Sequence, residues 1–382
     1  MTHLRPAFVE VNLDNLYHNV DLLLKKTGTA LCAVVKADGY GHGAIQVASV
    51  ALAAGACRLA VAILDEAVAL RRAGFDCPIM ILGYTPPEDS GIVVEHELEQ
   101  TVYTREQAAA LSRAAVVLGK RARIHLKVDT GMGRLGVRPD SDGVALAAAI
   151  SRFPAVDMVG CFTHLADADA EDPGYTRMQL ERFQGFREAL LSENIPVQIF
   201  HAANSAGAIL YPESRLDMVR VGLAMYGLFP SDRLVGEIDL LPAMSVKARV
   251  AHVKLVPRGE SISYGRTYTT DCDQFIATIP LGYADGYPRL LSNRGEVLIQ
   301  GRLAPVVGRV CMDQFMVRVW EGVKAGDEVV IIGEQAGARI SAEDLSRQWG
   351  TINYEVVCAF SRRLPRLYVG GGKVKQAVSS RR

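Results

Sequence analysis

From about residue 30 onward, short apolar runs alternate with longer stretches rich in Ala, Leu, Arg and Glu. LCAVVK (31–36) is continuously apolar until it closes on a lysine, the pattern of a strand buried on both faces. HGAIQVASVALAAGA follows with helical texture. LAVAI, IMILG, EQTVYT, ARIHLKV, DMVGCFTHL, VQIFHA and MVRVG predict seven further strands. REQAAALSRAAVVLGK and TRMQLERFQGFREALL are among the helices that separate them. Eight βα-type units ending near Gly222 are the number that a closed (β/α)8 barrel needs. A doubly wound open sheet is the competing architecture.

After about residue 235 helical periodicity nearly vanishes. MSVKARVAHVKLV, QFIATIPLGY, GEVLIQGRLAPVVGRV, FMVRVW and DEVVIIG predict a second domain of short strands and Gly-rich turns. The expected class is α/β: a TIM-type (β/α)8 barrel over 1–235, then a mostly β domain over 236–382. AFVEVNL, within the first 12 residues, alternates like a strand and is open to pairing with the β domain. The tail GGGKVKQAVSSRR is expected to be disordered.

A chain of 382 residues is too long for one ordinary core, in keeping with that division. Lys plus Arg (42) equals Asp plus Glu (42), so no excess charge points to nucleic acid or an anionic membrane. The start, MTHLRPAFVEVNLDNL, lacks the apolar segment of a secretory signal. The longest apolar stretch, Ala44 to Leu64, is broken by Gln46, Ser49, Gly55 and Arg58, which suits a helix and a strand better than a membrane span. Seven scattered cysteines without a CxxC pair argue against a disulfide framework or structural zinc. A cytoplasmic setting is the expectation.

The unusual polar residues collect at strand ends. Lys36 closes the first barrel strand, Arg134 follows the fifth and His164 closes the sixth. Asn204 and Ser205 follow the seventh, and Arg220 ends the eighth. Barrel enzymes build their sites on that carboxyl-end face, whereas an open sheet would gather ligands at one switch point. Each residue also has a plainer reading: a solvated strand-end lysine, a core histidine, an Arg220–Asp217 ion pair. The DGYGHG after Lys36 favours chemistry, because its glycines let a ligand approach closely. Ser205 and the Gly222 and Leu223 amides lie where barrels often hold phosphate. GMGRLG (131–136) matches GxGxxG, with Asp157 near the place of a ribose-binding acid. Pro139 and DSDG, however, sit where the required helix should open. No HExxH motif or tight His/Asp cluster points to a metal.

With these residues in place, the whole chain resembles the barrel-type (fold type III) pyridoxal-phosphate enzymes of the alanine racemase family. The matching motifs are VVKADGYGHG, HLKVDTGMGRLG, CFTHLADAD, HAANSA, MVRVGLAMYG, SYGRTY, PLGYADGYPR, GRVCMDQ and NYEVVC, in that order. The resemblance implies that Lys36 holds pyridoxal 5'-phosphate as a Schiff base and also serves as one catalytic base. Tyr264 would be the opposite base, supplied by the β domain of the other subunit of a homodimer with a shared site. Two bases are needed because inversion removes the α-proton from one face and returns one to the other. A phenol with its usual pKa of about 10 is about three units, or ~4 kcal/mol, from acting as a base at neutral pH. Nearby cations would close part of that gap, and the resemblance implies a chain from Tyr264 through His164 to Arg220, with Arg220 facing the pyridine nitrogen. Arg134 would orient cofactor and substrate carboxylate, and Lys127 is carbamylated in some relatives. Tyr40, Asn204, Ser205, Gly222, Leu223 and Tyr354 would bind the cofactor, chiefly its phosphate. Met312, Tyr283 and Asp313 would narrow the entrance toward alanine.

Within the same resemblance, a broader or serine-directed racemase stays open, because an apolar pocket discriminates weakly against one hydroxyl. A non-catalytic pyridoxal-phosphate protein would need Lys36 but not Tyr264. A barrel decarboxylase is disfavoured, since Arg134 would hold the carboxylate that must leave. A nicotinamide-dependent dehydrogenase would not need the amine of Lys36 at all.

Overall fold

The computed structural model describes residues 5–372, and the predicted tail lies mostly outside them. Two compact units divide the chain: Leu16–Gly39 with Ala44–Leu241, and residues 5–15 with Tyr40–Gly43 and Pro242–Gly372. Among the described residues no helix is long and apolar enough to cross a membrane.

The first unit is the expected barrel. After the N-terminal strand β1 (Ala7–Asn12) come β2 (Ala30–Val34), β3 (Arg58–Val61), β4 (Ile79–Ile81), β5 (Glu99–Val102), β6 (Ala122–Lys127), β7 (Val156–Phe162), β8 (Ile199–His201) and β9 (Met218–Val221). Strands β2 to β9 form one parallel sheet in the order β8-β7-β6-β5-β4-β3-β2-β9. The ends of that order meet at a seam bridged by Asp217 N to Phe200 O (3.1 Å) and Arg220 N to Ala203 O (3.0 Å). Leu31, Cys32, Ala33, Leu59, Ala60, Ile79, Met80 and Ile81 have no exposed surface, which explains their continuous apolar runs. Helices between strands start where the sequence offers caps. Thr104 forms a capping box with Gln107 at the head of Arg105–Leu118, and Asp140 caps Ser141–Ser151 through Gly143 N.

The second unit is mostly β, as expected. Its strands are β10 (Met244–Arg249), β11 (His252–Val256), β12 (Ser261–Ile262), β13 (Tyr268–Thr269), β14 (Gln274–Ile279), β15 (Glu296–Ile299), β16 (Arg302–Pro305), β17 (Phe315–Val319), β18 (Glu328–Gln335), β19 (Ala338–Ile340) and β20 (Arg366–Val369). They make a seven-stranded sheet ordered β16-β15-β18-β10-β1-β20, with β19 on β18, a three-stranded sheet β11-β14-β17 and the hairpin β12-β13. Strand β1 lies between β10 and β20 in this unit. Two helices that periodicity missed, Ala342–Trp349 and Asn353–Ala359, are short, eight and seven residues, too brief to repeat a pattern. The first is set by a Ser341–Asp344 capping box and ended by left-handed Gly350.

Candidate active site

Lys36 stands two residues beyond β2, where the backbone turns left-handed. The φ angles of Ala37, Asp38, Gly39, Tyr40 and Gly41 are 52°, 53°, 63°, 52° and 78°. Left-handed geometry costs an L-residue roughly 1–2 kcal/mol, so the turn must be held. Glu66 holds it, accepting from Ala37 N (2.5 Å) and Ala62 N (2.9 Å), while Gly39 N donates to Val35 O (2.9 Å) and Ala44 N to Asp38 Oδ1 (3.0 Å). Strain kept in place this way marks functional backbone.

Arg134 lies exposed on the loop after β6, which closes on itself through Asp129 N to Val137 O (2.8 Å) and Val137 N to Lys127 O (2.9 Å). Asp129 Oδ1 accepts from Gly131 N and Gly133 N, both at 3.0 Å. Burial pushes the Asp129 carboxyl up, but these N–H donors outweigh it and hold it below its usual range. No helix opens on GMGRLG: the next one begins at Ser141, and Asp157 pairs with Arg121 at 2.5 Å. The context for dinucleotide binding is therefore missing. Gln179, fully buried, fixes this loop to the one after β7, donating to Thr130 Oγ1 and to His164 O, both at 3.2 Å.

Arg220 is 4% exposed and has no carboxylate in salt-bridge range among the described residues. The plainer reading, a pair with Asp217, fails because that carboxylate accepts Phe200 N at 2.7 Å instead. Its guanidinium donates to His201 Nδ1 (2.8 Å), Thr163 O (2.8 Å), Ala202 O (3.0 Å) and His164 Nδ1 (3.3 Å). Burial pulls it down to about 10, which leaves it cationic at neutral pH. Lys127 and Arg220 both stand over the Phe162 ring, at 4.8 and 5.0 Å. Burial, then the charge of Arg220, holds the Lys127 amine well below its ordinary value. For His164 the causes are burial and then Arg220, Lys127, Arg134 and Lys36, all keeping the imidazole neutral. Of these four basic side chains, drawn from the ends of β2, β6 and β9, Arg220 touches the histidine directly, at 3.3 Å.

Asn204 caps the short helix Ser205–Leu210 by accepting from Gly207 N at 2.9 Å. Ser205 Oγ accepts from Gly222 N (3.2 Å) and Ala224 N (3.4 Å), so the strand-eight amides gather on that hydroxyl, with Leu223 buried between them.

In the second unit, Tyr264 is 73% exposed on the turn joining β12 to β13. Ser263, Gly265 and Arg266 beside it all have positive φ (64°, 71° and 49°). Ser263 Oγ donates to Arg309 O at 2.7 Å, bracing that turn. Tyr283 and Met312 come from segments zipped together by Tyr283 N to Cys311 O (3.1 Å) and Ala284 N to Met312 O (3.0 Å). Arg363 ties Asp313 (2.7 Å) to the fully buried Asp285 (3.3 Å), which also accepts from Arg5 at 2.6 Å. Tyr40 and Tyr354, far apart in sequence, have ring centroids 6.4 Å apart. Burial drives the Tyr40 phenol up, so it stays protonated.

Sequence reasoning singled out none of Glu99, Arg58, His125 and His201 as a site residue. His125 Nδ1 lies 3.0 Å from His201 Nε2, and His125 Nε2 lies 3.0 Å from Glu99 Oε2. Arg58 donates to both Glu99 oxygens, at 2.7 and 3.1 Å. A histidine or glutamate inside an apolar strand was the available signal.

Comparison with known proteins follows the same outline. Residues 11–230 match the family model for the alanine racemase N-terminal domain, and residues 243–368 that for its C-terminal domain. An alanine racemase of Desulforamulus reducens is 49% identical over 370 residues, covering 96% of this chain and 99% of the relative. The solved alanine racemase of Clostridium difficile 630 superposes with a TM-score of 0.92 at 39% identity, covering 96% of each chain. A histidine racemase of Leuconostoc mesenteroides shares the fold at a TM-score of 0.89 and 31% identity, covering 96% of this chain and 99% of its own. With both domains matched and close relatives aligned end to end, the chain belongs to the alanine racemase family.

Proposed function

We propose that this protein interconverts L- and D-alanine, with pyridoxal 5'-phosphate seated on the carboxyl-end rim of the barrel unit. The observation that carries this reading is the buried Arg220, which has no carboxylate in salt-bridge range among the described residues and donates to His164 Nδ1 at 3.3 Å. With Lys36, Lys127 and Arg134 also at or beyond the carboxyl ends of their strands, it suits a ligand that brings a phosphate and a carboxylate to an amine.

The residues present fit the cofactor. Lys36 would hold it through the ε-amine at the left-handed turn. Ser205, the Gly222 and Leu223 amides, Tyr40 and Tyr354 would hold the phosphate, with Asn204 capping the helix that carries Ser205. Arg220 has donors only, so at the ring nitrogen it would keep that atom unprotonated. When bound, the cofactor supplies an electron sink that makes the α-proton of an amino acid removable.

The rest is the work of side chains. Lys36 takes or returns the α-proton on one face, and Tyr264 of the partner subunit does so on the other. His164 accepts from Arg220 at Nδ1, which places its own proton on Nε2 and makes it a donor toward the tyrosine oxygen. Arg134 orients the substrate carboxylate through its planar fork. Burial of Lys127 favours its neutral amine, the form that reacts with carbon dioxide, and the carbamate would brace Arg134. Met312, Tyr283 and Asp313 of the partner subunit narrow the entrance. The working form is then a cytoplasmic homodimer.

The fold neighbour named for histidine favours a test across side chains rather than alanine alone. Purified holoenzyme is expected to show a visible, borohydride-sensitive band and to turn L-alanine into D-alanine faster than it inverts serine or histidine. Lys36→Ala should lose both the band and the activity. A band without racemisation of any of the three would refute the reading.

A further inference from the structure

Arg220 is the end of a buried polar chain that runs away from the proposed site into the barrel. Its other members are His201 and His125, with no exposed surface, Glu99 at 2% and Arg58. Side chains of β3 and β5, and of β6 and β8, meet although a strand separates each pair, so all point into the barrel. Room for this is built in. His125 pairs in register with Gly160 on the intervening β7, and a side chain at Gly160 would collide with the His125 ring. Phe162 then stacks on His201, with centroids 4.8 Å apart and planes 3° apart, fixing that ring's plane.

The order of donors follows from chemistry. Arginine can only donate, so His201 Nδ1 must accept and its proton sits on Nε2. That proton points at His125 Nδ1, which must accept, so His125 also carries its proton on Nε2 and gives it to Glu99. Glu99 ends the chain as a carboxylate clamped by Arg58. Every link runs one way.

We infer that Glu99, acting through His125 and His201, is a positioning residue for Arg220: the one-way chain fixes the nitrogen that His201 presents and supplies a remote countercharge. Either histidine in the opposite tautomer would set two donors against each other and release the guanidinium. Burial supports this by holding both imidazoles below their ordinary range and therefore neutral, while His125 and Arg58 overcome burial to hold Glu99 at about 2. The inference rests on reading Arg220 as the residue that faces the cofactor ring.

The test uses holoenzyme labelled with 15N-histidine, its signals assigned by single substitutions. His125 and His201 should both show neutral, Nε2-protonated rings from pH 6 to 8. A cationic ring, or a proton on Nδ1 of His201, would overturn the chain in the native protein without any variant. Glu99→Gln keeps the shape but removes the charge. It should move the His201 nitrogen shifts and raise the ratio of transamination to racemisation about fivefold or more, as groups of one network couple. In transamination alanine would leave its amino group on the cofactor and depart as pyruvate. Unchanged shifts and ratio in Glu99→Gln, with Arg220→Lys altering the ratio, would overturn the role of Glu99 and leave the reading of Arg220 standing. An unaltered ratio in Arg220→Lys would instead overturn that reading, and the inference with it.

Discussion

Arg220 donates to His201 Nδ1 at 2.8 Å, and both residues are buried in the barrel unit. A cation placed there without a carboxylate in contact is costly unless its donors are satisfied. Two histidines and two backbone carbonyls take up part of that donor capacity, chiefly on one terminal nitrogen. The guanidinium is therefore charged and held by protein groups on one side, which is what a preorganised site requires.

Gly160→Ala should show how tightly that interior is built. The added methyl collides with His125 Nδ1, and overpacking of a core typically costs about 1–3 kcal/mol. A thermal midpoint lowered by several degrees, with racemisation reduced, is expected; an unaffected midpoint would show that the ring has room to move.

The buried histidines also predict an acid-sensitive fold. His125, His164 and His201 are all held below the ordinary 6.5, chiefly by burial. Their neutral forms stabilise the fold fully above that value, and the contribution is lost as pH falls, because the unfolded chain then takes up protons that the native one refuses. Each contributes up to ~1.4 kcal/mol per pH unit. Glu99, lowered from 4.5 to about 2, adds a loss between those values. Thermal midpoints should drop steeply from pH 6.5 to 5; a flat profile would mean that the rings are already protonated in the native state.

Much of the barrel was legible because several of its strands are short apolar runs that lead to an isolated polar residue, as in LCAVVK. The rim residues were legible for the same reason. Glu99, His125 and His201 were not, since they come from three strands, and only barrel closure brings them together. Five consecutive left-handed residues after Lys36 were hinted at by three glycines, but Ala37, Asp38 and Tyr40 carry no such signal. The helix bearing Tyr354 has only seven residues, so its partnership with Tyr40 shows only in the fold.

Lys127 should carry carbon dioxide. Its amine is buried, beside Arg220, and held well below its ordinary value, so the nucleophilic form is available at neutral pH. Protein incubated with 13C-bicarbonate is expected to show a carbamate carbonyl signal in NMR that Lys127→Ala lacks. A wild-type spectrum without that signal would leave Lys127 as a plain buried amine.

If Lys36 and Tyr264 of the partner subunit form one site, two dead variants should complement each other. Lys36→Ala and Tyr264→Phe, mixed under conditions that exchange subunits, should regain activity approaching one quarter of wild type, because half the dimers are mixed and hold one intact site out of two (about one quarter by random pairing). Mixtures as inactive as their parents would contradict a shared site.

The most direct test of two bases on two faces is hydrogen exchange in D2O with Tyr264→Phe. Tyr264 is 73% exposed, so the variant should fold and keep its cofactor band. Racemisation should fall by about 100-fold or more, as for loss of a general base. Lys36 should still exchange the α-hydrogen of one alanine enantiomer for deuterium without inverting it. A variant that inverts alanine at the wild-type rate, or exchanges both enantiomers equally, would contradict the assignment of Lys36 and Tyr264 to opposite faces.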